Sequence, residues 1–179
     1  MSVVSAPRAG SRVAERGRST ALPITRRPLD LVLAAFFAVS ILYGFAFSLP
    51  EALGVPVAAD SPWPPLRALH GWAVEQEPAH LDPPPTLIAS LIFDGFVQSP
   101  FLIVLVWALL RGRESIRPAA LLYAGAATMN MYFYFFETVY GPHPPPHPEV
   151  YWPFNLPWLI APMVLAWRMR RAPVFDRVG

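Results

Sequence analysis

The residues best suited to chemistry in this sequence lie inside its apolar stretches. Asp94 stands about eight residues into the segment 86–110, with Ser90 one helical turn before it and Gln98 one turn after. On a helix the three share one face. A carboxylate at that depth, roughly 12 Å along a helix rising about 1.5 Å per residue, costs on the order of 2.5–3.5 kcal/mol to insert into hydrocarbon, so it calls for a partner or a task. In the segment 118–140, Tyr123, Asn130, Tyr134 and Glu137 recur at spacings of seven, four and three, again on one helix face. Asn155 and Trp158 are three apart in the segment 151–167, ahead of Pro162. Acids such as Asp94 and Glu137 can hold or move a proton, and aromatic faces beside them can stabilise positive charge. Asn, Gln and Ser inside a helix bundle have a plainer role as interhelical hydrogen-bond donors and acceptors, worth about 0.6 kcal/mol each.

These residues need elements to carry them. The segments 29–49, 86–110, 118–140 and 151–167 are each near the roughly 20 residues a helix needs to cross hydrocarbon. All 14 basic residues of the 179 are arginine. Six lie in 1–27, three follow the second segment (Arg111, Arg113, Arg117) and four follow the last (Arg168, Arg170, Arg171, Arg177), leaving Arg67 as the exception. Arginine-rich flanks stay in the cytoplasm. The expectation is therefore an all-α, polytopic membrane protein, a four-transmembrane-helix bundle with both termini cytoplasmic. Residues 1–27 read as a disordered basic tail, 28–170 as the membrane domain and 171–179 as a second tail. On this topology Asp94, Asn130, Glu137, Asn155 and Trp158 all fall in the outer half of the membrane and converge on one cavity.

The first external connection, 50–85, is too apolar for a free linker. Leu66, Leu69, Trp72 and Ala73 predict a helix over 65–76 that caps the bundle. The second, GPHPPPHPEV at 141–150, predicts extended chain. His143 and His147 are four apart, but proline prevents the helix that would bring them together on a metal. His70 and His80 read as isolated loop histidines. With no cysteine, disulfides, thiolate catalysis and zinc–thiolate sites are excluded. No phosphate-binding loop, dinucleotide motif or nucleophile elbow occurs, so no cofactor or metal is expected. Arginines confined to membrane flanks fit lipid contact and not nucleic acid.

Several segments together resemble the EXPERA family, which includes the emopamil-binding protein (a sterol Δ8-Δ7 isomerase) and the sigma-2 receptor. They are EPAHLDPPP followed by LIFDGFVQSPF, IRPAALLY, YFYFFE ending at Glu137, and FNLPWLIAP around Asn155 and Trp158. The likeness spans residues 30–169 and singles out Glu77 and Asp94. It implies a four-helix membrane bundle whose pocket binds sterols or amphiphilic amines through buried acids, and it suggests a homodimer. The isomerase branch carries a histidine and a glutamate on its first helix where Ser40 and Gly44 stand here. The sigma-2-like branch has an aspartate where Ser48 stands.

The reading that follows is an intramembrane pocket for a sterol-like or other polycyclic isoprenoid lipid, with ligand contacts from Glu77, Asp94, Gln98, Asn130, Tyr134, Glu137, Asn155 and Trp158. The alternative is an isomerase shifting a carbon–carbon double bond in such a lipid, with Asp94 and Glu137 catalytic. A third is a packing or assembly subunit without catalysis. Arginine in place of lysine and abundant alanine suggest a high-GC bacterial genome, hence an inner membrane, or the endoplasmic reticulum membrane for a eukaryotic chain.

Overall fold

The computed structural model describes residues 21–176. The expected tail residues 1–20, with Arg8, Arg12, Arg16 and Arg18, and residues 177–179, with Arg177, lie outside that range. The described chain is helical and has no strand. Helix α1 (Pro28–Tyr43) starts on a proline, whose missing N–H costs nothing in a first turn. It passes through a π-helical turn, Gly44–Ser48, into α2 (Leu49–Ala52), making one rod from Pro28 to Ala52. Helix α3 (Pro64–Glu75) follows in the connection. A second rod, from Pro85 to Arg111, joins α4 (Pro85–Ile92), a second π-helical turn, Phe93–Gln98, and α5 (Ser99–Arg111). Gly112, at φ 63°, ends it in the left-handed region that glycine takes without strain. Helices α6 (Arg117–Tyr140) and α7 (Pro148–Met169) complete the fold.

The two rods are long and apolar enough to cross a membrane. The expected segments 29–49 and 86–110 correspond to them, and 118–140 and 151–167 fall within α6 and α7. Helix α7 starts inside the stretch expected to be extended, because Pro148 fits a first helical position. The connection helix expected over 65–76 is α3, and its Leu66, Leu69 and Ala73 are buried with Val57.

Helix α1 packs along α5, and α6 packs along α7 and against α4. Phe37, Leu102, Leu105, Leu109, Ala124 and Leu165 are among the residues of the main core. Outward faces of all four long helical segments stay apolar: Val39 and Leu42, Val97 and Val104, Leu122 and Met129, Ile160 and Met163 are exposed. The rods meet at their π turns. A Cβ on Gly44 would overlap Ser99 Oγ, and one on Gly95 would stand 2.9 Å from Leu49 Cα. Small residues of this kind let helix backbones approach closely. Pro50 cannot donate to the Ala46 carbonyl four residues earlier, and the Trp63 indole Nε1 donates there instead at 2.7 Å.

One end of the fold is closed by charge. Asp30, fully buried, accepts from Arg27 Nη1 at 2.8 Å and from Arg168 Nε and Nη2 at 2.8 and 3.1 Å. Arg27 also donates to the Leu109 carbonyl at 2.9 Å, one of the carbonyls that the end of α5 leaves without a helical partner. Arg117 Nε donates to the Met169 carbonyl at 2.7 Å at the end of α7. The last described residues fold back: Val174 and Phe175 are buried, and their amides donate to Glu114 Oε1. The sequence reading puts tails at 1–27 and 171–179. Within the described range Arg27, Val174 and Phe175 are buried, while Pro23, Thr25, Arg26, Ala172 and Pro173 are exposed.

Asp30→Ala leaves two guanidinia buried without their shared carboxylate, which costs about 3–5 kcal/mol. At about 2–4 °C per kcal/mol for a chain of this size, thermal unfolding in detergent should fall by roughly 6–20 °C. An unchanged melting temperature would show that the cluster is dispensable.

Candidate functional site

A cleft opens between α1, α4, α6 and α7. Its aromatic walls include Phe36, Tyr43, Phe154 and Trp158, with Trp158 ring centroids 5.0 Å from Phe36 and 5.4 Å from Tyr43. The space between atoms, counted out through its open mouth into solvent, is about 770 Å³. Only about 60 Å³ of it admits the centre of a water molecule, so the cleft is narrow and a ring system entering it must shift aromatic side chains.

Ser90, Asp94 and Gln98 all line this cleft, joined from α6 by Tyr123, Asn130 and Tyr134 and from α7 by Asn155 and Trp158. Asp94 Oδ1 accepts from Asn130 Nδ2 at 3.1 Å, and Gln98 Oε1 accepts from the Tyr123 hydroxyl at 3.0 Å. Asp94 Oδ2 makes no hydrogen bond within the described chain, which leaves an acceptor for a ligand. The π turn sets this geometry: the Asp94 carbonyl takes both the backbone N–H and the hydroxyl of Ser99, five residues on.

Glu77 lies one layer behind the cleft wall. Its Oε1 accepts from Tyr134 OH at 3.1 Å and from Asn155 Nδ2 at 2.5 Å, and its Oε2 from Trp72 Nε1 at 2.8 Å. The Asn155 amide also donates to the Tyr151 carbonyl at 3.1 Å. Two residues that line the cleft are thus held in place by a carboxylate that does not. Glu137 stands elsewhere: it is outside the cleft lining, half-buried, with its carboxylate accepting from Thr86 Oγ1. It sits close to the end of α6, beyond the level of Tyr134, so the shared face seen in the sequence does not bring it to the cavity.

Two further residues belong to the site and were missed. His80, expected on the surface, is 4% exposed and lines the cleft. Its Nδ1 is 2.9 Å from Glu51 Oε1, and its Nε2 is 3.9 Å from Glu77 Oε2. Glu51, also buried, is in α2. Burial alone would lower the His80 pKa, but the hydrogen bond and charge of Glu51, with the charge of Glu77, raise it above its ordinary value. The signal for Glu51 and His80 was slight: an acid three residues after Ser48 and a histidine three residues after Glu77, both in a connection whose folding could not be read residue by residue. His143 and His147 stay apart in function, facing Asp82 and Glu149 respectively. Among the described residues no group of three or more acidic or histidine side chains is arranged to hold a metal ion.

Fold and site define a helical protein of membrane type, with a narrow aromatic-walled cleft and buried carboxylates. The family model EXPERA (EXPanded EBP superfamily) matches residues 66–169, more than half of the chain, and the chain belongs to that membrane-associated, sterol-related family. The matched stretch holds Glu77, His80, Asp94, Asn130, Tyr134, Asn155 and Trp158, and leaves Ser48 and Glu51 outside it. No protein of curated function matches the chain.

The titratable groups facing His80 are Glu51 from α2 and Glu77 from the connection. A histidine whose folded pKa is raised contributes stability fully below its unfolded value of 6.5, and that contribution is lost as pH rises through the folded value. As pH rises from the unfolded value of 6.5 through the raised folded value, the melting temperature of the wild type should fall, and Glu51→Gln should flatten that dependence by letting burial hold His80 neutral. Parallel pH profiles for the two proteins would contradict the assignment.

Proposed function

We propose that this is a four-span membrane protein with both ends in the cytoplasm, whose cleft binds a sterol-like or other polycyclic isoprenoid lipid. The observation that carries the reading is the convergence of Asp94, Asn130, Gln98, Tyr134 and Asn155 on one aromatic-walled cleft. Family membership supports it. Spanning by α6 and α7 as well as by the two apolar rods is supported by exposed apolar faces on all four and by arginines gathered at one end. A soluble chain seldom leaves so much contiguous apolar surface in water. The arginine bias supports a cytoplasmic position for that end.

A second reading is favoured by one specific observation: His80 and Asp94, both ionisable, line the same cleft. With Glu137 out of reach, they are the pair available for double-bond isomerisation. His80 would give a proton to one alkene carbon, and Asp94 would take a proton from the carbon next to the resulting cation. The Trp158 and Tyr43 faces would stabilise that cation. The lipid gains and loses one proton, and the two side chains re-equilibrate through solvent.

Because the chain has no cysteine, topology can be tested with single substitutions. Asp60→Cys should react with a membrane-impermeant maleimide added outside intact cells, and Ser115→Cys only after lysis. Labelling of both from one side would refute the four-span arrangement. For the ligand, mass spectrometry of copurifying lipids should show one polycyclic class enriched on the wild type and depleted on Asp94→Asn. Incubation of that class in deuterated water then separates the readings. Deuterium beside a shifted double bond means isomerase, enrichment without exchange means a binding protein, and no enrichment favours an assembly subunit.

A further inference from the structure

Several hydroxyls on the described helices find a backbone acceptor four or five residues back. Ser40 donates to the Phe36 carbonyl at 3.0 Å, Thr128 to Ala124 at 2.7 Å and Thr138 to Tyr134 at 2.8 Å, each four residues back. Ser99, just past the second π turn, reaches the Asp94 carbonyl, five back, at 2.8 Å. Ser48 is different. It is 0% exposed, it lines the cleft, and its Oγ has no hydrogen-bond partner. The carbonyl four residues before it belongs to Gly44, which takes the N–H of Leu49 in the π turn. A buried hydroxyl left without a partner is disfavoured, by an amount comparable to a lost hydrogen bond.

A second group with a bond to spare lines the same cleft. Glu51 follows Ser48 by three residues and so lies on the same side of the rod, one turn on. Glu51 holds His80 by Nδ1, and the other ring nitrogen, Nε2, makes no hydrogen bond, its nearest acid being Glu77 Oε2 at 3.9 Å. His80 lines the same cleft as Ser48.

We propose that Ser48 Oγ and His80 Nε2, the latter positioned by Glu51, form a subsite for the hydroxyl of a polycyclic lipid alcohol. The inference rests on the lipid-pocket reading above and names the head group which that pocket selects. A hydroxyl both donates and accepts, so it can pair with Ser48 and also with Nε2, whether that nitrogen carries a proton or a lone pair. The dimensions agree. Phe37 and Ser48 both line the cleft and stand eleven residues apart on the first rod, roughly 16 Å at about 1.5 Å per residue. A fused-ring body can therefore lie along Phe36, Trp158 and Pro162 with its oxygen at the Ser48 end, near the end of the rod where the head group of a membrane lipid belongs.

The test compares two probes that differ only in the hydroxyl, radiolabelled cholestanol and cholestane, on the full chain in detergent. Wild type should bind the alcohol about tenfold more tightly. Ser48→Ala should erase most of that preference without lowering the melting temperature, because the hydroxyl it removes has no partner in the unliganded fold. His80→Gln, which keeps a polar side chain, should reduce the preference in part. Equal wild-type affinity for the two probes would overturn the subsite and leave the lipid pocket standing, with a water taking the place of the ligand oxygen. A preference that survives Ser48→Ala but disappears in Asp94→Asn would overturn it too, placing the hydroxyl one turn deeper. Binding of neither probe would overturn the polycyclic pocket and the subsite with it.

Discussion

A carboxylate out of water persists only where donors surround it, and the rest of the site depends on that requirement at Glu77. The donors come from three separate parts of the chain: Trp72 at the end of α3, Tyr134 on α6 and Asn155 on α7. None can move without exposing the others to an unpaired acceptor. The connection between the rods is thereby tied to α6 and α7, although it is distant from both in sequence. Glu77 also fixes the rotamers of Tyr134 and Asn155, whose outer surfaces line the cleft. Its role is positional: it holds groups that touch the cavity and does not touch the cavity itself.

The opposite end of the molecule meets the same requirement differently. Asp30 is satisfied by two guanidinia, and Arg27 and Arg117 spend further donors on the last carbonyls of α5 and α7. Charge and helix-end chemistry thus close one end, and a hydrogen-bonded acid closes the other. Between them the helices are joined by apolar packing that thins towards the Glu77 end, where the cleft lies. The two π turns sit at this boundary, on facing stretches of the two rods. Each frees carbonyls from their regular partners and shifts the register of the side chains beyond it, a change common at functional sites.

Much of this was legible in the sequence because helical periodicity carries it. Asp94, Gln98, Asn130, Tyr134, Asn155 and Trp158 were picked by spacing and depth, and all of them line one cleft. Periodicity also misled. Glu137 shares a face with Asn130 and Tyr134, but a face is an angle and not a depth, and near the end of α6 it meets Thr86. His80 and Glu51 went unseen for the opposite reason. They sit in a short 3₁₀ turn and a four-residue helix, where no period exists and where partners 29 residues apart are set by tertiary packing. Arg27 and Asp30 read as flank and first turn, and nothing local announced that Arg168, 138 residues from Asp30, would complete them.

The first rod explains why the polar chemistry of this cleft is distributed as it is. The resemblance read from the sequence implies that Ser40 and Gly44 stand where the isomerase branch carries ionisable side chains, outside the stretch that the family model matches. At Gly44 the reason is steric, since even a methyl group there would overlap Ser99 Oγ, whose hydroxyl is committed to the Asp94 carbonyl. A glutamate at 44 would have to push the two rods apart at their closest contact and disturb the turn that aims Asp94. Backbone contact and an acid on the first helix are therefore alternatives, and this chain has the contact. With no side chain at 44, an acid or base for the cleft opposite Asp94 comes from elsewhere, and the short connection after α3 supplies one in His80, held by an acid from the end of the first rod. Close packing of the rods and a histidine delivered by a loop are in this sense one structural choice.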